Sequence, residues 1–145
     1  MTEAVGTFSA AAPDIAMTEL NVLGQELEGC STDPLTGFYR DGSCQSGPED
    51  IGLHTVCAVV TADFLQHQKQ IGNDLTTPMP QFMFPGLSPG DRWCVTARNW
   101  LRAHDDGMAA PVVLASTHEA TLEVISLEVL QRYAVDVPSD PGALD

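Results

Sequence analysis

Glycine and proline divide this chain into segments that can form regular structure and segments that cannot. Both residue types recur throughout residues 20–53 and again throughout residues 73–91. They favour turns and loops, and proline lacks the N–H group that a central strand needs. Long irregular stretches are uncommon in a compact domain and are often functional when they occur. We therefore predict two long loops and expect strands and helices only in the rest of the chain.

The segments between and after the loops alternate between strand-like and helix-like patterns. Residues 54–61 are almost continuously apolar and β-branched, which is typical of a strand buried on both faces. Further strands are predicted over 92–96 and 111–116. Helices are predicted after Thr61, over 97–106, over 118–125 and after Ser126, where apolar residues recur at helical spacing.

These elements favour an α+β fold, in which a small mixed sheet is packed by about four helices and carries the two long loops. A small three-layer α/β fold is the alternative. A chain of 145 residues suits one domain, which we place at residues 19–135. Residues 1–18 lack periodicity and residues 136–145 contain two prolines, so both are expected to be flexible tails.

The charge balance limits the classes of partner. Twenty acidic residues face six basic ones, for a net charge of −14, so a basic nucleic-acid footprint is missing. The same charge disfavours binding to an anionic membrane surface. Glu3, Pro13 and Asp14 are not typical of a secretory signal, and we expect a cytoplasmic protein. The excess of acids with a single lysine is similar to the composition of halophilic proteins.

Several motifs resemble the bacterial domain-of-unknown-function family 2237. They are Cys30-Ser-Thr-Asp-Pro-Leu-Thr-Gly-Phe-Tyr-Arg-Asp-Gly-Ser-Cys44, His54-Thr-Val-Cys57, Gly72-Asn-Asp-Leu-Thr-Thr-Pro78, Phe84-Pro-Gly-Leu-Ser-Pro-Gly-Asp-Arg-Trp-Cys94, Arg98-Asn-Trp100 and Thr117-His-Glu119. The resemblance covers nearly the whole folded chain and implies a class but no mechanism. The family often has Trp-Cys-x-Cys where this chain has Trp93-Cys94-Val95-Thr96, which puts a site needing that second thiol in doubt here.

The cysteines allow several interpretations. In a reducing compartment they are expected to be buried thiols, and a Cys30–Cys44 disulfide is a minor alternative. Cys30, Cys44, His54 and Cys57 could together supply four zinc ligands. Their spacing lacks the close pairs of most zinc sites, and a strand directs His54 and Cys57 to opposite faces. A zinc site is therefore not favoured.

Charged and polar residues gather in the two loops and at the strand starts. The candidate catalytic residues are His54, Asp41 and Asp91, with His54 as a possible general base. The candidate ligand-binding residues are Arg40, Asn73, Asp74, Arg92, Tyr39 and Trp93. Carboxylates and guanidinium groups on tight loops can fix a small ligand, although they can equally tie loops together.

Both loops lead into the start of a strand, at His54 and at Arg92. If those strands are parallel, the loops share one rim of the sheet. The leading hypothesis is therefore a small-ligand or catalytic pocket formed by the loops 28–53 and 72–92. The sequence does not decide whether the protein is an enzyme, and it contains no cofactor motif.

Two other functions remain open. The first is a protein-interaction or self-association module that uses the Gly/Pro-rich loops, which predicts an exposed apolar patch across Phe82, Phe84 and Leu87. The second is a structural zinc domain. A deep pocket between the loops would favour ligand binding over both.

The halophile-like composition predicts a response to salt. Because excess negative charge destabilises a compact state unless ions screen it, the melting temperature should rise as KCl is added over the molar range. Thermal unfolding followed by circular dichroism measures this. A melting temperature that stays flat or falls with KCl would contradict the prediction.

Overall fold

The computed structural model describes residues 19–136. It contains two strands, β1 (Val56–Val59) and β2 (Arg92–Val95), and three α-helices, α1 (Ala62–Gln70), α2 (Ala97–Asp105) and α3 (Leu127–Arg132). Short 3-10 segments occupy Pro80–Phe82, Leu114–Ser116 and Glu119–Glu123. The predicted tails 1–18 and 137–145 lie outside the described residues. Asp136, the first residue of the predicted C-terminal tail, accepts hydrogen bonds from the backbone N–H groups of Leu114 and Ala115.

The two strands are antiparallel, and Val56 pairs with Val95 while Val59 pairs with Arg92. The start of β1 therefore lies beside the end of β2. Beyond the strands, the N–H of Ala97 donates to the carbonyl of Leu53 and continues this contact. The two strand starts, His54 and Arg92, consequently lie at opposite ends of the sheet, and the condition for a shared rim is not met.

The predicted mixture of helix and strand is confirmed, but the sheet is smaller and the helices fewer than predicted. The predicted strand 111–116 is reduced to pairing around Val112, which bridges Ala58 and Ala134, before the chain turns into a 3-10 segment. The predicted helix 118–125 is also a 3-10 segment. Its Thr121 hydroxyl bonds Thr55, and that buried contact holds the segment against β1. The described residues show three α-helices and no three-layer architecture.

Each α-helix begins at a hydroxyl side chain. Thr61, Thr96 and Ser126 accept a backbone N–H from the first turn of α1, α2 and α3, respectively. Such caps satisfy donors that have no partner within the helix. Within residues 19–136, no helix has the length and apolar character that crossing a bilayer requires.

One face of the sheet carries the main core. Ala58 and Trp93 lie on this face with Phe64 of α1 and Trp100 of α2. Trp100 is fully buried, and its Nε1–H donates to the carbonyl of Ala110. The sheet therefore rests on two helices on this side, as the sequence predicts for a strand followed by a capped helix.

The other face of the sheet is covered by the first long loop instead of a helix. Cys57 and Cys94 are register partners on this face. Cys57 is disulfide-bonded to Cys30, and Cys94 to Cys44. All four cysteines are buried. The prediction that 54–61 is buried on both faces is explained by this loop, which the two bonds hold on the sheet.

The expected cysteine chemistry is wrong in two respects. The structure has no free cysteine within the described residues, and the Cys30–Cys44 disulfide is not formed. The sequence could not reveal this pairing, because it depends on which strand positions face the loop. Cys57 and Cys94 are thirty-seven residues apart in the chain but adjacent across the sheet.

Removing either disulfide should destabilise the oxidised protein by about 2–4 kcal/mol, since the bonds close loops of 27 and 50 residues. The variants Cys30→Ala/Cys57→Ala and Cys44→Ala/Cys94→Ala replace both partners, so that no lone thiol can exchange with the remaining bond. Urea unfolding measures the free energy. An unchanged free energy in both variants would show that the bonds do not hold the loop.

Candidate functional site

A cavity of about 210 Å³ runs along the outer edge of β2. We call it the edge cavity. Its walls combine apolar side chains with a few polar ones, as small-molecule sites do. The residues that line it are Arg40, His54, Asn73, Asp74, Leu75, Met79, Phe82, Phe84, Trp93, Cys94, Val95 and Thr96.

Arg40 joins the two long loops at this cavity. Its Nε–H donates to the carbonyl of Phe82 at 3.1 Å, and its Nη1–H donates to the carbonyl of Gly37 at 2.6 Å. The guanidinium carbon lies 4.9 Å from the ring centroid of Trp93, a cation–π distance. Residues distant in the chain therefore meet around a single cation.

The guanidinium of Arg40 has no carboxylate partner among residues 19–136. The ion pairs formed by those residues all involve histidine. Burial lowers the pKa of Arg40, but an arginine remains charged at neutral pH. Two carbonyl oxygens occupy Nε and one N–H of Nη1. The remaining N–H groups, including both on Nη2, have no partner in the described part of the chain.

His54 is held in place by a buried carboxylate. Its Nδ1 lies 2.7 Å from Oδ1 of Asp50, whose side chain is fully buried. The other oxygen of Asp50 accepts the backbone N–H of His54 and the hydroxyl of Ser46. An ionised Asp50 accepts a hydrogen bond, so the neutral imidazole carries its proton on Nδ1. Its Nε2 is then a hydrogen-bond acceptor. In the described residues Nε2 has no hydrogen-bond partner, and His54 lines the edge cavity.

Asn73 and Asp74 also line the cavity, but their polar atoms serve the second loop. The Asn73 amide donates to Gln68. Hydrogen bonds from Thr77 and then Thr76 hold the pKa of Asp74 well below its usual range, so this carboxylate stays ionised. The Asp74 oxygens accept both hydroxyls and the N–H of Thr76. They stabilise a turn. In contrast, N–H groups of Arg40 and Nε2 of His54 have no hydrogen-bond partner among residues 19–136.

The other predicted site residues lie outside the edge cavity. Asp41 is exposed and accepts hydrogen bonds from Ser43 and Gln45. Tyr39 donates its hydroxyl to Glu49, and that bond raises its pKa. These two residues stabilise the surface of the first loop.

Asp91 and Arg92 lie away from the cavity because β1 and β2 are antiparallel. They stand at the start of β2, whereas His54 meets its end. The carboxylate of Asp91 accepts the N–H of Ser88 and closes a turn, and Arg92 is exposed. The predicted site residues that the structure brings together are thus Arg40, His54, Asn73, Asp74 and Trp93.

Left-handed backbone conformations surround the same cavity. Arg40, Leu53 and Met83 are the described non-glycine residues with positive φ, at 53°, 57° and 55°. Such residues are strained and cluster at functional sites. Arg40 lines the cavity, Leu53 precedes His54, and Met83 lies between two lining phenylalanines. The strain is confined to the segments that shape the cavity.

The zinc set of Cys30, Cys44, His54 and Cys57, which the sequence does not favour, is not assembled in the structure. The sulfur atoms of Cys30, Cys44 and Cys57 lie within 4.8 Å of one another, and His54 is not part of that group. His54 is paired with Asp50 instead. Cys94, which the sequence reasoning left out, is bonded to Cys44.

Sequence reasoning missed Asp50 and Thr96. Asp50 lies four residues before His54, and in an irregular loop this spacing gives no sign that the two side chains meet. Thr96 lines the cavity while its hydroxyl caps α2. A single threonine before a helix signals only a cap.

A family model matches residues 20–134, and its description is "Uncharacterized protein conserved in bacteria (DUF2237)". The chain belongs to this family. The DUF2237 match contains both disulfides and every residue of the edge cavity. No curated protein matches the sequence. The DUF2237 assignment therefore identifies the domain and leaves its chemistry to be argued from the cavity.

Two histidines of this DUF2237 domain should have opposite neutral tautomers. In His54 the proton belongs on Nδ1, which faces Asp50. In His118, Nδ1 accepts the N–H of Ala120, so the proton belongs on Nε2 facing Glu19. Long-range ¹H–¹⁵N correlation spectra distinguish the two forms. The same tautomer at both residues would contradict the described hydrogen bonds, and Asp50→Asn should change His54 only.

Proposed function

We propose that the edge cavity binds a small molecule that carries an anionic group on an apolar body. Arg40 would hold the anion through its remaining N–H groups, and the aromatic rings of Trp93, Phe84 and Phe82 would pack on the body. The observation that carries this proposal is the uncompensated guanidinium. In a chain with a net charge of −14, a half-buried cation without a carboxylate partner among the described residues is unusual.

A purely structural role accounts for only part of the Arg40 geometry. Its bonds to Phe82 and Gly37 do staple the loops together. Neutral carbonyl oxygens do not balance the charge, however, and burying a charge without a partner is costly. An anionic ligand would supply the missing charge and could accept two parallel N–H bonds from the guanidinium.

His54 gives the same cavity a proton acceptor. A carboxylate that orients one imidazole nitrogen leaves the other available as a general base, provided that it reaches the ligand. The reaction that this arrangement would serve is removal of a proton from the bound anion. Asp50 would be the positioning residue and His54 the catalytic one.

An interaction module finds less support in the surface. Phe84 and Leu87 are buried, so the apolar patch expected across these residues and Phe82 is not exposed. Phe82 and Met83 are exposed, and of the two only Phe82 lines the edge cavity, where its ring would face the ligand. The cytoplasmic location, the halophile-like character and the absence of nucleic-acid and membrane partners remain proposals that rest on composition.

Arg40→Met should remove the preference for the anion, while methionine keeps an apolar stem over Trp93. The variant also loses the bonds to Phe82 and Gly37, so circular dichroism first checks that it is folded. The probes are phenylacetate, its neutral isostere phenylacetamide and the cation phenethylamine. Phenylacetate should bind best to the wild type, and Arg40→Met should weaken it by about tenfold to a hundredfold, the usual contribution of a charged hydrogen bond. Isothermal titration at low salt measures the affinities.

Arg92→Met is the matched control, since it removes an exposed arginine outside the cavity and should leave phenylacetate affinity unchanged. Arg40→Lys serves as a second variant that keeps the charge and loses the planar fork. Preferential binding of phenethylamine, or equal loss in the Arg40 and Arg92 variants, would refute the proposal.

A further inference from the structure

Of the four cysteines, Cys94 alone lines the edge cavity, and the cluster that the cysteines form uses neither Arg40 nor His54. Cys57 and Cys94 face each other across the paired strands, and Cys30 and Cys44 approach from the first loop. Each is at most 4% exposed. Four sulfur atoms are therefore gathered in one buried cluster.

We propose that this cluster is a redox-switched zinc site, with two disulfides when oxidised and one Zn²⁺ bound by four thiolates when reduced. Zinc takes four cysteines as a tetrahedron with Zn–S distances of about 2.3 Å, which places the sulfurs roughly 3.8 Å apart. Those of Cys30, Cys44 and Cys57 already lie within 4.8 Å of one another, and Cys94 is bonded to one of them. Cys94 lies outside the group within 4.8 Å, so its side chain would have to turn toward the other three sulfurs to complete the tetrahedron once the disulfides open.

The surroundings suit a closed structural site. Val59 and Val113 pack with the four cysteines, and these apolar side chains would help to exclude water from the metal. Two ligands stand on paired strands, which fixes their separation. The loop ligands are held by backbone bonds as well, because Cys30 donates its N–H to Gly42 and the N–H of Gly42 donates to Thr36. These bonds keep the two loop cysteines near each other, and the Thr36 hydroxyl accepts the N–H of Cys94 in β2, so the loop ligands would still face the strand ligands when zinc binds.

The chemistry balances with a dithiol reductant. Each of the two disulfides accepts two electrons and two protons and yields two thiols, four in total, while two equivalents of the dithiol become cyclic disulfides. Zinc then displaces four protons as it binds the thiolates. The same four residues would hold the loop on the sheet in either state, by sulfur–sulfur bonds when oxidised and by metal bonds when reduced. This inference differs from the sequence-based zinc set in replacing His54 with Cys94.

Zinc titration of the full chain tests the proposal. Protein reduced with dithiothreitol, then exchanged without air into a non-coordinating phosphine reductant, should bind one Zn²⁺ per chain by native mass spectrometry. The oxidised protein should bind none. Cobalt in place of zinc should give the absorption of a tetrahedral all-thiolate complex. Reduced wild type that binds no zinc, or oxidised protein that binds it equally well, would overturn the proposal.

Variants distinguish the ligand set. Cys94→Ser should weaken zinc binding at least about a hundredfold, since one of four strong ligands is lost. His54→Gln is the matched control and should bind zinc like the wild type; the reverse result would overturn the proposal. Each titration is repeated by refolding the reduced chain from urea with zinc present, so that an unfolded metal-free state does not hide the site. None of these measurements uses a cavity ligand, and they fail or succeed independently of the proposed function.

Discussion

The fold depends on two cross-links between an irregular loop and a very small sheet. A two-stranded sheet is marginal by itself, and no α-helix of residues 19–136 covers one of its faces. The Cys30–Cys57 and Cys44–Cys94 bonds fasten the first loop over that face. The chain therefore completes its core with a segment that has almost no regular structure. The same bonds fix where the side chains of that segment lie.

Arg40 and His54 owe their positions to this arrangement. Arg40 lies between the two loop cysteines Cys30 and Cys44, and His54 lies three residues before Cys57 on the way into β1. Anchoring the loop on one face of the sheet directs Arg40 around the outer edge of β2 to Trp93. Within residues 19–136 this leaves a cation whose partners are two carbonyl oxygens and an aromatic ring, and the absence of a carboxylate there motivates the proposed anionic ligand.

The parts of the structure that follow local rules could be predicted from the sequence. The segment 54–61 contains β1, and Thr61 and Thr96 cap the helices that follow the strands, because burial and capping depend on neighbouring residues. The loops could be located from glycine and proline. The contact between Arg40 and Trp93 could be predicted only in part. The sequence identified both as candidate ligand-binding residues but gave no sign that their side chains touch.

The remaining features depend on contacts distant in the chain. Strand direction decided that Asp91 lies away from His54, and no local pattern specifies direction in two short strands. The cysteine pairing follows from the register of Cys57 with Cys94. The helix predicted over 118–125 is a 3-10 segment, and its Thr121 hydroxyl bonds Thr55, a contact sixty-six residues away that the local sequence does not reveal. The hydrogen bond between Asp50 and His54 depends on the conformation of an irregular loop, which the sequence does not specify.

The most direct test of the central claim is to map the cross-links of the full chain, purified in air without reductant. The protein is digested with its disulfides intact, and the linked peptides are identified by mass spectrometry. The structure predicts peptides joined through Cys30–Cys57 and through Cys44–Cys94. A peptide joined through Cys30–Cys44, which would leave the loop tied to itself and not to the sheet, would contradict it.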